Sequence, residues 1–187
     1  MKLARLTLVA LTAVFAAGAF ATPGFAENTT MVGGAAMYPS KNIVQNAVNS
    51  KDHTTLVAAV KAAGLVKTLE SKGPFTVFAP TNEAFAKLPA GTVDTLLKPE
   101  NKAKLTSVLT YHVVPGRITA KALMAKIKAG DGTAELKTVE GDKLTFKMKD
   151  GHVWVIDGKG DKAEVTIANV MQSNGVIHVI DTVMLPG

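Results

Sequence analysis

Cysteine is absent from this 187-residue chain. That removes disulfides, thiolate metal sites and a lipid-modified cysteine together, so the fold has to rest on its apolar core. Long apolar runs are missing beyond the first twenty-odd residues. After Leu6–Ala21 no segment reaches the length of a bilayer-spanning helix. The chain stops at Leu185-Pro186-Gly187 without a hydrophobic tail, so a glycolipid anchor is not expected. Catalytic patterns are missing as well. There is no Gly-x-Ser-x-Gly, and none of Ser40, Ser50, Ser71, Ser107 or Ser173 follows a strand into a helix as a nucleophile elbow would. The histidines, His53, His112, His152 and His178, show neither i, i+4 pairing nor a His-Glu-x-x-His pattern. No metal and no cofactor is expected. Gly158–Ala163 precedes a strand and not a helix, which fails the context of a dinucleotide loop, and Asp157, Lys159 and Asp161 lack the terminal Glu of a calcium loop. Asp94, Glu100, Asp131 and Glu135 stand in charge-mixed surroundings unsuited to an acid–base pair.

What is present begins with an export signature. Lys2 and Arg5 give a positive start, Leu6–Ala21 an apolar stretch short of the ~20 residues that span a bilayer, and Gly24 and Ala26 the −3 and −1 positions of a cleavage before Glu27. Ala19-Phe20-Ala21 offers an earlier site. Residues 1–26 are therefore expected to be a cleaved leader, and the product exported, either periplasmic or secreted. Without them, 19 basic residues face 15 acidic ones, a net charge of +4. Lysines alternate with acids (Lys67/Glu70, Glu83/Lys87, Glu100/Lys104), which describes a solvated surface and excludes a nucleic-acid stripe.

Residues 27–38 carry no sustained period and a Gly-Gly pair, and read as a flexible arm. Asn28-Thr29-Thr30 within it is a glycosylation sequon. Residues 39–187 read as one domain, large enough to bury roughly 68–70% of its unfolded surface. A helical stretch opening at Pro39-Ser40-Lys41 has the stripe Ile43, Val44, Ala47 and Val48; a second carries Leu56, Val57, Val60 and Ala63, with Thr54 or Asp52 as N-cap and Gly64 as C-cap. Leu65, Val66 and Leu69 continue a third. Phe75–Ala79 is a buried strand closed by Pro80, and Thr81 caps a helix through Lys87 with Phe85 inward. Helices follow over Thr92–Leu97, Pro99–Thr110 and Thr119–Ile127, with a strand at Tyr111–Val114 between the last two. From Gly130 the period becomes two: Leu144, Phe146 and Met148 alternate with Lys143, Thr145 and Lys147. Asp150-Gly151 signals a hairpin into His152–Ile156. Further strands are expected at Ala163–Ala168, Val170–Ser173 and Val176–Met184, with Asn174-Gly175 as the strongest hairpin signal. Helices first and an antiparallel meander last give an α+β domain.

Three of these blocks carry a family likeness. Phe75-Thr76-Val77-Phe78-Ala79-Pro80-Thr81-Asn82-Glu83-Ala84-Phe85, Tyr111-His112-Val113-Val114-Pro115-Gly116 and Asn174-Gly175-Val176-Ile177-His178-Val179-Ile180-Asp181, the last running on to Leu185-Pro186, resemble the signatures of the fasciclin (FAS1) domain family, in the right order and spacing. The single-domain, signal-bearing, Cys-free form is similar to the secreted bacterial members. The resemblance implies a wedge of antiparallel strands with helices packed at one side, and a role in adhesion or surface interaction without catalysis. In animal members an acidic residue precedes the hydrophobic pair of an integrin-binding segment; here Ile167-Ala168-Asn169-Val170-Met171 places Asn169 there, so a carboxylate–metal contact is not expected.

His112 reads in two ways. An imidazole at a helix-to-strand junction is a tautomer-fixed hydrogen-bond clamp, because an unpaired buried polar group costs about 1–3 kcal/mol. Alternatively, Tyr111 and His112 shape a partner-binding surface. His152 is expected in an exposed hairpin, and His178 either outward or bonded to backbone. The expected function is an exported, non-catalytic module, a monomer, binding an extracellular or cell-surface protein or a matrix polymer. The alternative is a small-molecule or lipid carrier with a pocket between wedge and helices.

Overall fold

A computed structural model of the chain describes residues 28–187. The expected leader lies outside the described residues. The described chain opens on a hairpin, β1 (Thr30–Val32) with β2 (Ala35–Met37), turned by Gly33 and Gly34 at φ 56° and 75°. This corrects the expected arm. The Gly pair supplies the left-handed turn that two-residue hairpins require, and Val32 and Met37 are buried in the core.

Helices cover one side. In α1 (Ile43–Ala47), Asn42 and Gln45 form a reciprocal capping box, so the helix starts at Ile43 and not at Pro39. α2 (Thr54–Ala63) ends at Gly64 with φ 76°, the left-handed cap its position suggested. Its N-terminus differs from expectation. A 3₁₀ turn, Lys51–His53, leads in, and the cap comes from Asn82, whose Oδ1 accepts from the Thr55 N–H at 3.0 Å. α3 (Val66–Glu70), α4 (Asn82–Ala86, capped by Thr81), α5 (Thr92–Leu96) and α6 (Lys102–Tyr111) complete this layer.

The strands form one seven-stranded sheet in the order β4-β3-β9-β8-β7-β6-β5. Its members are β3 (Phe75–Pro80), β4 (Val113–Pro115), β5 (Thr133–Lys137), β6 (Lys143–Lys149), β7 (His152–Ile156), β8 (Lys162–Gln172) and β9 (Gly175–Ile180). Neighbours are antiparallel except β3 and β9, which run parallel. The sheet curls until the Val139 N–H donates to the Val113 carbonyl at 2.8 Å, tying the chain after β5 to β4. One apolar core lies between the α1–α6 layer and one face of β3 and β9. A second fills the wedge, where Phe78, Leu144, Phe146, Val155 and Ile180 meet Leu123 and Ile127 of α7 (Ala120–Ala129).

The two strands expected at 163–173 are one, β8, whose register against β9 shifts between Val165 and Ile167 and again between Ile167 and Val170, the second shift holding Asn169 at φ 60°. β5 lacks a strong apolar alternation and was not distinguished by sequence. Asp150 and Gly151 make the expected turn at φ 53° and 83°. Asn174-Gly175 is not the turn of its hairpin. Gln172 pairs with Gly175, so the turn is Ser173-Asn174, and Gly175 is a strand residue whose added Cβ would lie 2.1 Å from the Phe75 carbonyl oxygen. Glycine is needed there for strand approach.

Candidate functional site

The Tyr111–His112 pair sits where α6 meets β4. Tyr111 is the last helical residue and His112 its C-cap, so the expected strand begins two residues later, at Val113. Both side chains are buried, Tyr111 completely. His112 Nδ1–H donates to the Val108 carbonyl at 2.8 Å, one turn back, and Nε2 accepts from the Met184 N–H at 3.0 Å. Both partners are backbone groups, which fixes the Nδ1–H tautomer. Burial pushes the imidazole pKa down to about 4, against smaller opposing effects of the Val108 carbonyl and Asp157. The ring is neutral and both its nitrogens are committed, as the clamp reading requires.

Tyr111 does the same for another junction. Its hydroxyl donates to the Lys143 carbonyl at 2.9 Å and accepts from the Gly158 N–H at 3.0 Å. Beside it, the buried Asp157 carboxylate accepts from the N–H groups of Lys159, Asp161 and Leu185. The end of α6, the start of β6, the β7–β8 turn and the segment after β9 are thus gathered at one point. Asp157 was read from sequence only as a turn residue. An Asp two and four residues before N–H groups it can bind is an Asx-turn signal, but nothing local announces the third bond to Leu185.

The remaining histidines separate. His178 is buried, stacks on Phe78 at 5.5 Å between ring centres, and donates from Nε2 to the Ile118 carbonyl at 2.9 Å; it bonds to backbone and does not face outward. His53 is buried beside Ser50 Oγ at 2.9 Å, and burial lowers its pKa. His152 is exposed and pairs with Glu164 at 2.7 Å. Among the described residues no three His, Cys, Asp or Glu side chains cluster to hold a metal, and no helix is long and apolar enough to cross a membrane. Asn169, at the bulge, uses its Oδ1 to accept from the Ala120 N–H at 2.8 Å and so caps α7.

Two further features lie outside this hub. An apolar cavity of about 80 Å³ lies between the helical layer and β3 and β9, lined by residues including Ile43, Leu56, Val60, Leu69 and Ile177. On the far side, the outer face of β5–β8 carries Lys137, Lys143, Lys147, Lys149 and Lys162, and the chain's single tryptophan, Trp154, stands opposite Lys147 there.

A family model described as the Fasciclin domain matches residues 51–186. Protein sll1483 of Synechocystis is 54% identical over 160 residues, covering 86% of this chain and 82% of that protein. The cell surface glycolipoprotein MPB83 of Mycobacterium bovis is 35% identical over 171 residues, covering 86% and 68%. Among solved structures, a FAS1 domain pair from the insect cell adhesion molecule Fasciclin I superposes with a TM-score of 0.68 at 22% identity, over 79% of this chain and 52% of that one.

Proposed function

The chain belongs to the fasciclin domain family, and on that premise we propose that it is an exported, non-catalytic adhesion or interaction module that binds a surface, matrix or cell-envelope partner. The observation that carries the reading is the family match over nearly all of the described domain. The hub agrees with it, because His112 and Tyr111 spend their polar atoms on backbone groups and none on a site open to substrate. In this reading residues 1–26 direct export and are removed, the domain runs from the first hairpin to residue 187, and it acts as a monomer. Tyr111 and His112 serve binding from beneath, by fixing the strands and turns that present the surface. A carboxylate–metal contact of the animal type is not part of it, since Asn169 is engaged in capping α7.

The test is attachment. Beads coated with the protein should be retained on native envelope or matrix extracts, and a deletion strain should attach less well to at least one surface. Beads retained by no extract, together with a strain of unchanged attachment, would refute the proposal.

A second reading is a carrier for a small apolar molecule, which requires the apolar cavity to widen, since its volume of about 80 Å³ is well below the roughly 300–1,000 Å³ of ligand pockets. Protein purified from its own host should then show a co-purifying ligand in native mass spectrometry. Repeatedly ligand-free spectra would rule it out.

A further inference from the structure

The outer face of the β5–β8 sheet is a single layer open to solvent. Strand alternation sends Leu136, Leu144, Phe146, Val153 and Val155 into the wedge and leaves the opposite set outside. The register then fixes which outward residues are neighbours. Lys147 stands opposite Trp154, Lys149 opposite His152, Lys162 opposite Ile156, and Lys137 directly opposite Lys143. Like charges directly opposed across strands are destabilising, and Lys143 is offset by its ion pair with Glu135.

Two acids share the face, and both are already engaged: Glu135 with Lys143 at 2.7 Å and Glu164 with His152 at 2.7 Å. The acids of the connecting turns, Glu140, Asp142, Asp150, Asp157 and Asp161, stand at strand ends. Among the described residues Lys137, Lys147, Lys149 and Lys162 make no salt bridge. Trp154 lies half-buried on this face between Lys147 on β6 and Glu164 on β8, with its indole N–H turned inward and buried. Along one strand, outward residues two apart are about 7 Å from each other, so Lys147 and Lys149 present two neighbouring cations to one anionic polymer.

Resting on the interaction-module reading above, we propose that this face binds an acidic polysaccharide, with Trp154 stacking on a sugar ring and Lys147 and Lys149 pairing with its carboxylates. The cations are all lysines, point charges that suit scattered carboxylates; Arg117, the described domain's arginine, is used elsewhere, donating to the Gln172 and Ser173 carbonyls at 3.0 Å each. A half-buried tryptophan is a platform and not a wedge for a bilayer, and one aromatic with no arginine is a poor nucleic-acid reader.

The experiment measures retention of the full chain on immobilised polygalacturonate, with neutral dextran, anionic phosphatidylglycerol vesicles and single-stranded DNA as comparisons. Polygalacturonate should be preferred, and binding should weaken as salt rises. Lys147→Glu with Lys149→Glu should weaken it roughly tenfold or more. Trp154→Ala should weaken it at every salt concentration, with Trp154→Phe restoring part, and circular dichroism confirming that each variant folds. Equal retention of wild type and the double lysine variant, or equal retention on vesicles or DNA, overturns the proposal. Bead attachment to native extracts separates the two levels. Loss with wild type sinks the interaction-module reading, whereas wild type and the double lysine variant attaching alike sinks only the assignment to this face.

Discussion

At the scale of single residues, His112 shows how a polar side chain becomes structural. The sequence placed an imidazole at a junction and required that it be bonded; only the fold reveals that its second partner is Met184, 72 positions away. His112→Ala should lower stability by about 1–3 kcal/mol, measured by chemical denaturation at pH 7. The same histidine sets a pH dependence. Burial lowers its pKa to about 4 in the folded domain, against about 6.5 for a free imidazole. Between these values the unfolded chain binds more protons than the folded one. Its contribution is therefore complete above about pH 6.5 and drains away as pH falls, reaching a loss of about 3 kcal/mol near pH 4. His53 and His178, whose pKa values burial also lowers, act in the same direction. Denaturation midpoints from pH 7 to pH 4.5 should fall steeply for the natural chain and less steeply for His112→Gln. Parallel slopes would remove His112 from this role.

At the scale of elements, legibility followed locality. The buried strand β3, the Thr81 cap, the Gly64 cap and the Asp150-Gly151 turn were read correctly because each is specified within a few residues. Failures came where a distant segment supplies the partner. Asn82 caps α2 from 27 positions away, and Asn174 bonds Ile43, Leu69 and Ser71, a use that overrides the ordinary hairpin role of an Asn-Gly pair. The signature Asn174-Gly175 is therefore a joint between strand and helices. Gly175→Ala should cost about 3 kcal/mol, the upper end of overpacking, since its Cβ would meet the Phe75 carbonyl at 2.1 Å. Urea melts with unchanged stability would contradict this. The face of β6 and β7 was legible in part: the lysine alternation was visible, but its alignment with Trp154 depends on register.

At the scale of the whole molecule, the two apolar cores share β3 and β9, so neither is expected to unfold without the other. The first hairpin belongs to this unit. A chain beginning at Pro39 loses Val32 and Met37, both buried, and should be less stable than one beginning at Asn28 by about 3–5 kcal/mol; equal melting temperatures would restore the arm as a mere extension. The central position of β9 has a different consequence, in the order of synthesis. β9 is flanked by β3 and β8, and the segment that follows it is held by His112 and Asp157. Both cores take part of their lining from β9, so they close fully only once these late residues are in place. A chain ending before Gly175 lacks the strand that both cores share.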